Sequence, residues 1–234
     1  MVTILKGLVG SHAYGHATPE SDKDWMTVYV GGIDSYFGLK RADTSHSVSE
    51  DVDVTDYEFK KFVSLCCNFN PNVIPLLFLK KESYDSITNE FGLRLVQAKN
   101  LFLTKRCYNS LRGYATSQEK KARLGLTEKL GQKRKVLVDK YGYDVKAAAH
   151  TVRLLRLAKH IFLYNEVNLE EAAEECMKYR SGFFSKEEFQ NRFDELILQV
   201  DDSFSSCILP EDVDATTVNA FCVNFLKDWF EEHE

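Results

Sequence analysis

The chain has 234 residues, 44% hydrophobic and 28% charged, with a formal net charge of −5. That length and balance suit a soluble globular protein of one large domain or two small ones. No run approaches the ~20 apolar residues of a membrane span, and the first chemically informative turn already begins at Gly10, which leaves no room for a cleaved signal peptide and predicts a cytoplasmic protein without a membrane partner.

In chain order, the apolar run Ile4 to Val9 predicts a strand that leads into Gly10-Ser11. His12 to Thr18 is ambiguous, and Pro19 with Ser21 predicts a turn. Trp25 to Val30 predicts a second strand, broken by Gly31-Gly32, and Ile33 to Leu39 a short helix or turn. Ser45–Val48 and Val52–Tyr57 alternate as strands do. Phe59, Phe62, Val63, Leu65 and Cys66 form a helical stripe. Asn70-Pro71-Asn72 reads as a turn and Ile74–Leu79 as a short buried strand or helix.

Helices dominate from about Asn89 onward. They are expected over Glu90–Lys99, Thr104–Arg123, Asp144–Leu163, Leu169–Tyr179, Lys186–Asp202 and Ala215–Glu232. Asp144 suits an N-cap, and Ser185 with Glu188 a capping box. Leu124 to Lys140 is basic. The elements predict an α+β protein: a small mixed sheet with helices, then an all-helical region, with domains at 1–99 and 100–234.

Charge is unevenly spread. Lys105 to Lys135 carries ten Lys/Arg against Glu119 and Glu128, whereas Glu166 to Glu234 carries eighteen acids against five Lys/Arg. The basic middle suits a polyanion such as a triphosphate or RNA, or is a solvated helical face; the acidic end argues against broad nucleic-acid wrapping. Cys66, Cys67, Cys107, Cys176, Cys207 and Cys222 include no Cys-x-x-Cys pair, so reduced, mostly buried thiols are expected and a zinc site is not.

The strongest local pattern is Gly10-Ser11 followed by Ser21-Asp22-Lys23-Asp24 at the mouth of the second strand. A small-residue turn lets backbone N–H groups approach a phosphate. Carboxylates spaced i, i+2 on a strand point to one side. Together they supply what Mg²⁺-dependent phosphoryl or nucleotidyl transfer needs, because a hard cation takes oxygen ligands and bridges carboxylate to phosphate. Alone, an Asp-x-Asp in a surface turn does no more than initiate the turn.

GSHAYGHATPESDKDWMTVYV resembles the signature of the DNA polymerase β-like nucleotidyltransferases, in particular the branch of predicted nucleotidyltransferases of bacteria and their phages. DVDVTDYEFKKFVSL, NFNPNVIPLLF, LFLTKRCYNSLRGYATSQ and AAAHTVRLLRLAKHIF extend the resemblance in order, over about two-thirds of the chain. Pro75 departs from it, since similar sequences tend to carry Glu after the Asn-Pro-Asn turn. The resemblance implies transfer of NMP from an NTP to a hydroxyl acceptor with release of pyrophosphate, using two Mg²⁺ or Mn²⁺ ions. The acceptor class (small molecule, protein or RNA end) stays open.

Two-metal transfer needs a third carboxylate. In DVDVT, Asp51 and Asp53 share a strand face. Asp53 is the choice that the resemblance favours, with Asp51 and Asp56 as runners-up. Asp22, Asp24 and Asp53 are therefore the expected metal-binding and catalytic acids. Gly10, Ser11 and Tyr14, with His12 nearby, are expected at the nucleotide.

On the helix from Asp144, Lys146, His150 and Arg153 fall within about a 60° arc, with Arg156 and His160 beside it and Ala147, Leu154, Leu155, Ala158 and Phe162 opposite. A cationic stripe on such a helix is expected to meet the triphosphate across a cleft. Tyr108 and Arg112, spaced i, i+4, suit stacking on a base or holding a phosphate, or else a core tyrosine beside a surface arginine. His46 stands isolated. Nucleotide sensing without turnover, RNA-end binding and a toxin–antitoxin-like interaction are the alternatives to catalysis.

Overall fold

The computed structural model describes residues 1–19, 21–39, 45–49, 52–125 and 132–233. Asp51 and part of the basic stretch between Leu124 and Lys140 lie outside the described residues. In chain order the elements are β1 (Val2–Leu8), α1 (Gly10–Ala13), β2 (Lys23–Val30), α2 (Asp34–Phe37), β3 (Ser45–Ser49), β4 (Val52–Glu58), α3 (Phe59–Cys67), α4 (Glu90–Gln97), α5 (Arg106–Leu124), α6 (Gln132–Tyr141), α7 (Val145–Tyr164), α8 (Ala173–Arg180), α9 (Lys186–Ser205) and α10 (Ala215–His233). Short 3₁₀ turns occupy Ile74–Phe78, Lys81–Ser83 and Ala98–Phe102. The fold is α+β, and no helix among the described residues is long and apolar enough to cross a membrane.

The chain divides into a sheet unit of residues 1–13, 17–104 and 210–234, and a helical unit of residues 14–16 and 105–209. The division expected from the sequence is 1–99 and 100–234; in the compact units α10 groups with the sheet, and the three residues after α1 group with the helices.

In the sheet unit the strand order is β1-β2-β4-β3, with β1/β2 and β3/β4 antiparallel and β2/β4 parallel. Ile4, Leu5, Val28 and Phe59 are fully buried. Phe225 of α10 stacks on Phe59 at 4.2 Å between ring centroids, and Trp229 meets Phe91 edge-on at 5.0 Å. Each such aromatic removed from water stabilises the unit by roughly 1.5–3 kcal/mol. This is why an amphipathic C-terminal helix, distant in sequence, seats here. The start of α3 is fixed by Glu58, only 6% exposed, whose carboxylate accepts the amides of Lys60 and Lys61 at 2.9 Å and the hydroxyl of Tyr36 at 2.6 Å. Pro75 is buried in the first 3₁₀ turn, where its missing N–H is no loss.

In the helical unit α7 is the central rod, packed by α5, α8 and α9. Asp144 caps it, accepting the amides of Lys146 and Ala147 at 3.1 and 3.0 Å, and Asn165 ends it in the left-handed region. The small Ala147–Ala149 run lets neighbouring helices come close. The capping box of α9 is present: the amide of Glu188 donates to Ser185 Oγ at 3.1 Å, and the amide of Ser185 to Glu188 Oε2 at 2.7 Å.

Packing alters several expectations drawn from the sequence. Helix α7 is enclosed on nearly every side rather than apolar on one face only, because three helices surround it. Tyr108 stacks on Phe204 at 4.2 Å and donates to Asp201, and Arg112 is paired with the same Asp201, so the pair holds α5 to α9. Arg156 is paired with Glu175 at 2.8 Å, and His160 lies 3.2 and 3.1 Å from Glu166 and Glu171. The six cysteines are free thiols; Cys67 and Cys222 are half-buried and the others buried.

Candidate active site in the sheet unit

The site starts from a backbone need. Gly10 has φ +62°, and a methyl group there would fall 1.8 Å from Asp24 Oδ2. Only glycine lets the chain turn left-handed while the Asp24 carboxylate lies against it. The turn is tied to β2 by the amide of Val9, which donates to the Asp24 carbonyl at 2.8 Å. Ser11 and His12 follow on the single turn α1, and His12 Nε2 is buried without a hydrogen-bond partner.

Asp24 is the register partner of Asp53 across the parallel β2/β4 ladder. Neighbouring strands lie about 4.8 Å apart and register partners point the same way, so the ladder puts two carboxylates side by side. Asp22, exposed, precedes β2 by one residue. Asp53 Oδ1 is buried without a hydrogen-bond partner, and His46 Nε2 on β3 stands 3.6 Å from it. The isolated histidine of the sequence is thus a neighbour of the third acid. Asp56, a runner-up, accepts hydroxyl hydrogen bonds from Thr27 and from Ser45 (2.8 Å for the latter), so its oxygens are spent within the sheet.

Among the described residues no group of three His, Cys, Asp or Glu stands close enough to hold a metal ion unaided. The donors nevertheless suit one. They are hard carboxylate oxygens, two of them on adjacent strands where like charges repel, with an orphaned Asp53 Oδ1 and a glycine cradle alongside. Mg²⁺ is commonly held by one or two carboxylates plus substrate phosphates rather than by an all-protein cage.

The other expected nucleotide contacts lie in the helical unit. Tyr14 is 2% exposed, and the Arg153 guanidinium lies over its ring at 3.7 Å. Burial raises the Tyr14 hydroxyl pKa, partly offset by Arg153. His150 Nε2 and Arg153 Nε are both buried without a hydrogen-bond partner, while Lys146 is exposed. Burial first, then the charges of Arg153, Arg134 and Lys121 and the neighbouring His16, push the His150 pKa down to about 3. His16, which sequence reasoning passed over, is pushed down to about 4 by burial, then by Arg153 and Arg180. Arg180 Nη1 donates to the His16 carbonyl at 2.8 Å and lies 3.2 Å from His16 Nδ1. Nothing local announces that pair, because its members are 164 residues apart.

An uncharacterized 38.9 kDa protein from the nrdC-mobD intergenic region of Enterobacteria phage T4 is 30% identical over 91 residues, 35% of this chain and 27% of its own length. The chain therefore spans about a quarter of the curated relative it matches. A crystal structure of a nucleotidyltransferase-like protein from Exiguobacterium sibiricum 255-15 aligns over 88% of this chain and 69% of that one, at 13% identity and a TM-score of 0.32. The model of the RNA repair pathway DNA polymerase beta family matches residues 1–191, a span that holds the Gly10 turn, the Asp22/Asp24 pair, Asp53 and helix α7. By that match the chain belongs to the RNA repair pathway DNA polymerase beta family, a family of polymerase β-like nucleotidyltransferases.

Proposed function

We propose that the protein transfers an NMP group from an NTP to a hydroxyl acceptor and releases pyrophosphate. The observation that carries this reading is the register pairing of Asp24 with Asp53 beside the Gly10 turn, which supplies adjacent carboxylates next to a backbone that approaches closely. Asp22, Asp24 and Asp53 would hold Mg²⁺ or Mn²⁺, which when bound neutralises phosphate charge and makes an acceptor hydroxyl more acidic.

The chain's own groups then divide the work. Ser11 and the backbone N–H groups around it take the terminal phosphates. Asp22 and Asp24 serve the nucleotide side. Asp53 serves the acceptor side and orients the hydroxyl, with His46 at 3.6 Å as its neighbour. The acceptor oxygen forms a bond to the α-phosphorus, the bond to pyrophosphate breaks in line, and the acceptor proton leaves on the Asp53 side. For Tyr14, His150 and Arg153 the proposed role is contact with phosphate oxygens through hydrogen-bond donors within the helical unit, and for Lys146 a screening charge.

An RNA end is the favoured acceptor. The family's description as part of an RNA repair pathway and the basic stretch Lys105–Lys135 both support it. The test is incubation of the purified protein with each α-³²P-NTP, Mg²⁺ or Mn²⁺, and RNA with a free hydroxyl end, with host lysate as a second source of acceptors. Labelled RNA and matching pyrophosphate, both lost in Asp24→Asn, are expected. No labelled product from any NTP and either acceptor source, or full turnover by Asp24→Asn, would sink the proposal.

A further inference from the structure

We propose that Tyr14, His16, His150, Arg153 and Arg180 form a receptor for a phosphate-class oxyanion inside the helical unit. The inference rests on the phosphate role proposed above for Tyr14, His150 and Arg153 and adds His16 and Arg180 to it, while its test reads binding rather than transfer. Its basis is the chemistry of the donors. Arg153 Nε, His150 Nε2 and the Tyr14 hydroxyl are each buried without a hydrogen-bond partner. The Arg153 guanidinium lies 3.7 Å from the Tyr14 ring centroid, the Tyr14 and His16 rings are 6.3 Å apart, and the charge of Arg153 bears on both His16 and His150.

An arginine can only donate, so Arg180 Nη1, 3.2 Å from His16 Nδ1, makes that nitrogen an acceptor and leaves the ring proton on Nε2. Arg153, Arg180, Tyr14 and the His16 Nε2 proton are thus all donors, a set that suits an oxyanion and repels a cation. Two of the nearby acids are already committed. Glu175 is paired with Arg156 and Arg192 at 2.8 and 3.1 Å, and Asp144 with Arg134 at 2.8 Å.

Proton linkage follows from the same arrangement. The histidines are held neutral by burial and by the surrounding cations: Arg153 and Arg180 at His16, and Arg153, Arg134 and Lys121 at His150. The charge of Glu175, on α8, is offset by its two arginines, and Glu170 stands against Gly15, between Tyr14 and His16. A phosphate dianion reverses the local field and draws the His150 ring toward its ordinary range, while His16 stays neutral because Arg180 occupies its Nδ1. Binding should then take up protons and weaken as pH rises, by up to about tenfold per pH unit for each histidine that titrates.

The experiment is calorimetric titration of the full chain with inorganic phosphate and with tripolyphosphate at pH 6, 7 and 8, each in two buffers of different ionisation enthalpy. Histidine Cε1–H resonances are followed across pH with and without tripolyphosphate. Saturable one-site binding, proton uptake and one histidine, His150, whose titration moves up by more than one pH unit on binding are expected. His16→Gln and Arg180→Gln should each weaken binding at least tenfold, while Lys159→Ala, which removes a half-buried cation elsewhere on α7 that donates to Gln199, should not. ATP and a 5′-phosphorylated against an unphosphorylated RNA oligonucleotide then identify whether the oxyanion comes from a nucleotide or an RNA end. Absence of saturable binding, histidine titrations that do not move, or losses in Lys159→Ala equal to those in Arg180→Gln would each overturn the proposal. His16→Gln keeps the test decisive should Arg180→Gln fail to fold.

Discussion

Lowering the pH from 7 to 5 should destabilise the helical unit, through His16 and His150 in particular. Their folded pKa values are depressed to about 4 and about 3 from an ordinary 6.5, chiefly because both rings are buried beside arginines. A depressed histidine favours folding where the unfolded ring is neutral, and that advantage is lost as pH falls below 6.5, because the unfolded ring binds a proton the folded one refuses. At pH 5 the difference is close to 1.5 pH units for each ring, or about 2 kcal/mol, so the pair should lose about 4 kcal/mol. The carboxylates with depressed pKa values, Asp85, Glu188 and Asp214, titrate below this window and do not confuse it. Urea unfolding followed by far-UV circular dichroism at fixed ionic strength should show the midpoint fall by about 2 M if m is about 2 kcal/mol/M. His150→Gln or His16→Gln should each remove about half of that dependence. A midpoint that holds from pH 7 to 5, or one that falls equally in the double variant, would refute the argument that these rings are enclosed and neutral.

Three further outcomes are expected. Gly10→Ala should cost about 1–2 kcal/mol for the left-handed backbone and, by displacing the Asp24 carboxylate, reduce label transfer at least a hundredfold; transfer within threefold of wild type would refute the cradle. Asp53→Asn should keep NTP affinity within a few-fold in equilibrium binding while kcat falls by at least a hundredfold, the pattern of an interaction made in the transition state, and unchanged kcat would remove Asp53 from the site. Asp144→Ala should lower stability by about 3 kcal/mol in chemical denaturation, because the first turn of α7 and Arg134 both lose their acceptor, and Asp144→Asn should recover part of it through the cap alone.

Local pattern carried much of the fold. The alternation in Val52–Tyr57 and the apolar run ending at Val30 predict strands that the structure contains, and Ser185 with Glu188 predicts the box that starts α9. What the pattern could not carry was pairing at a distance. Asp24 and Asp53 are readable as acids on strand faces, but their adjacency requires a parallel register between β2 and β4, set by sheet hydrogen bonds rather than by any local propensity. His46 looked idle for the same reason. The α7 stripe was expected to line a cleft for the triphosphate, but a wheel shows polarity without neighbours; once α5, α8 and α9 surround the rod, His150 Nε2 and Arg153 Nε are buried, and that burial shapes their chemistry. Tyr108 and Arg112 met their partner Asp201 only through tertiary packing.

The register of β2 and β4 also separates two kinds of length change. Asp24 and Asp53 are held opposite one another by a ladder of backbone hydrogen bonds, so the stretch of chain that joins the strands does not measure the gap between the acids. Residues added at Gly38 or Leu39, just after α2, would lengthen the chain between β2 and β3 and leave the register of the two carboxylates unchanged. A single residue gained or lost within β4 would instead bring Val52 or Val54 opposite Asp24 and turn Asp53 to the other face of the sheet. Engineered insertions should therefore be tolerated just after α2 and hardly at all within β4, and domain insertion or chain splitting is best attempted at Gly38 or Leu39.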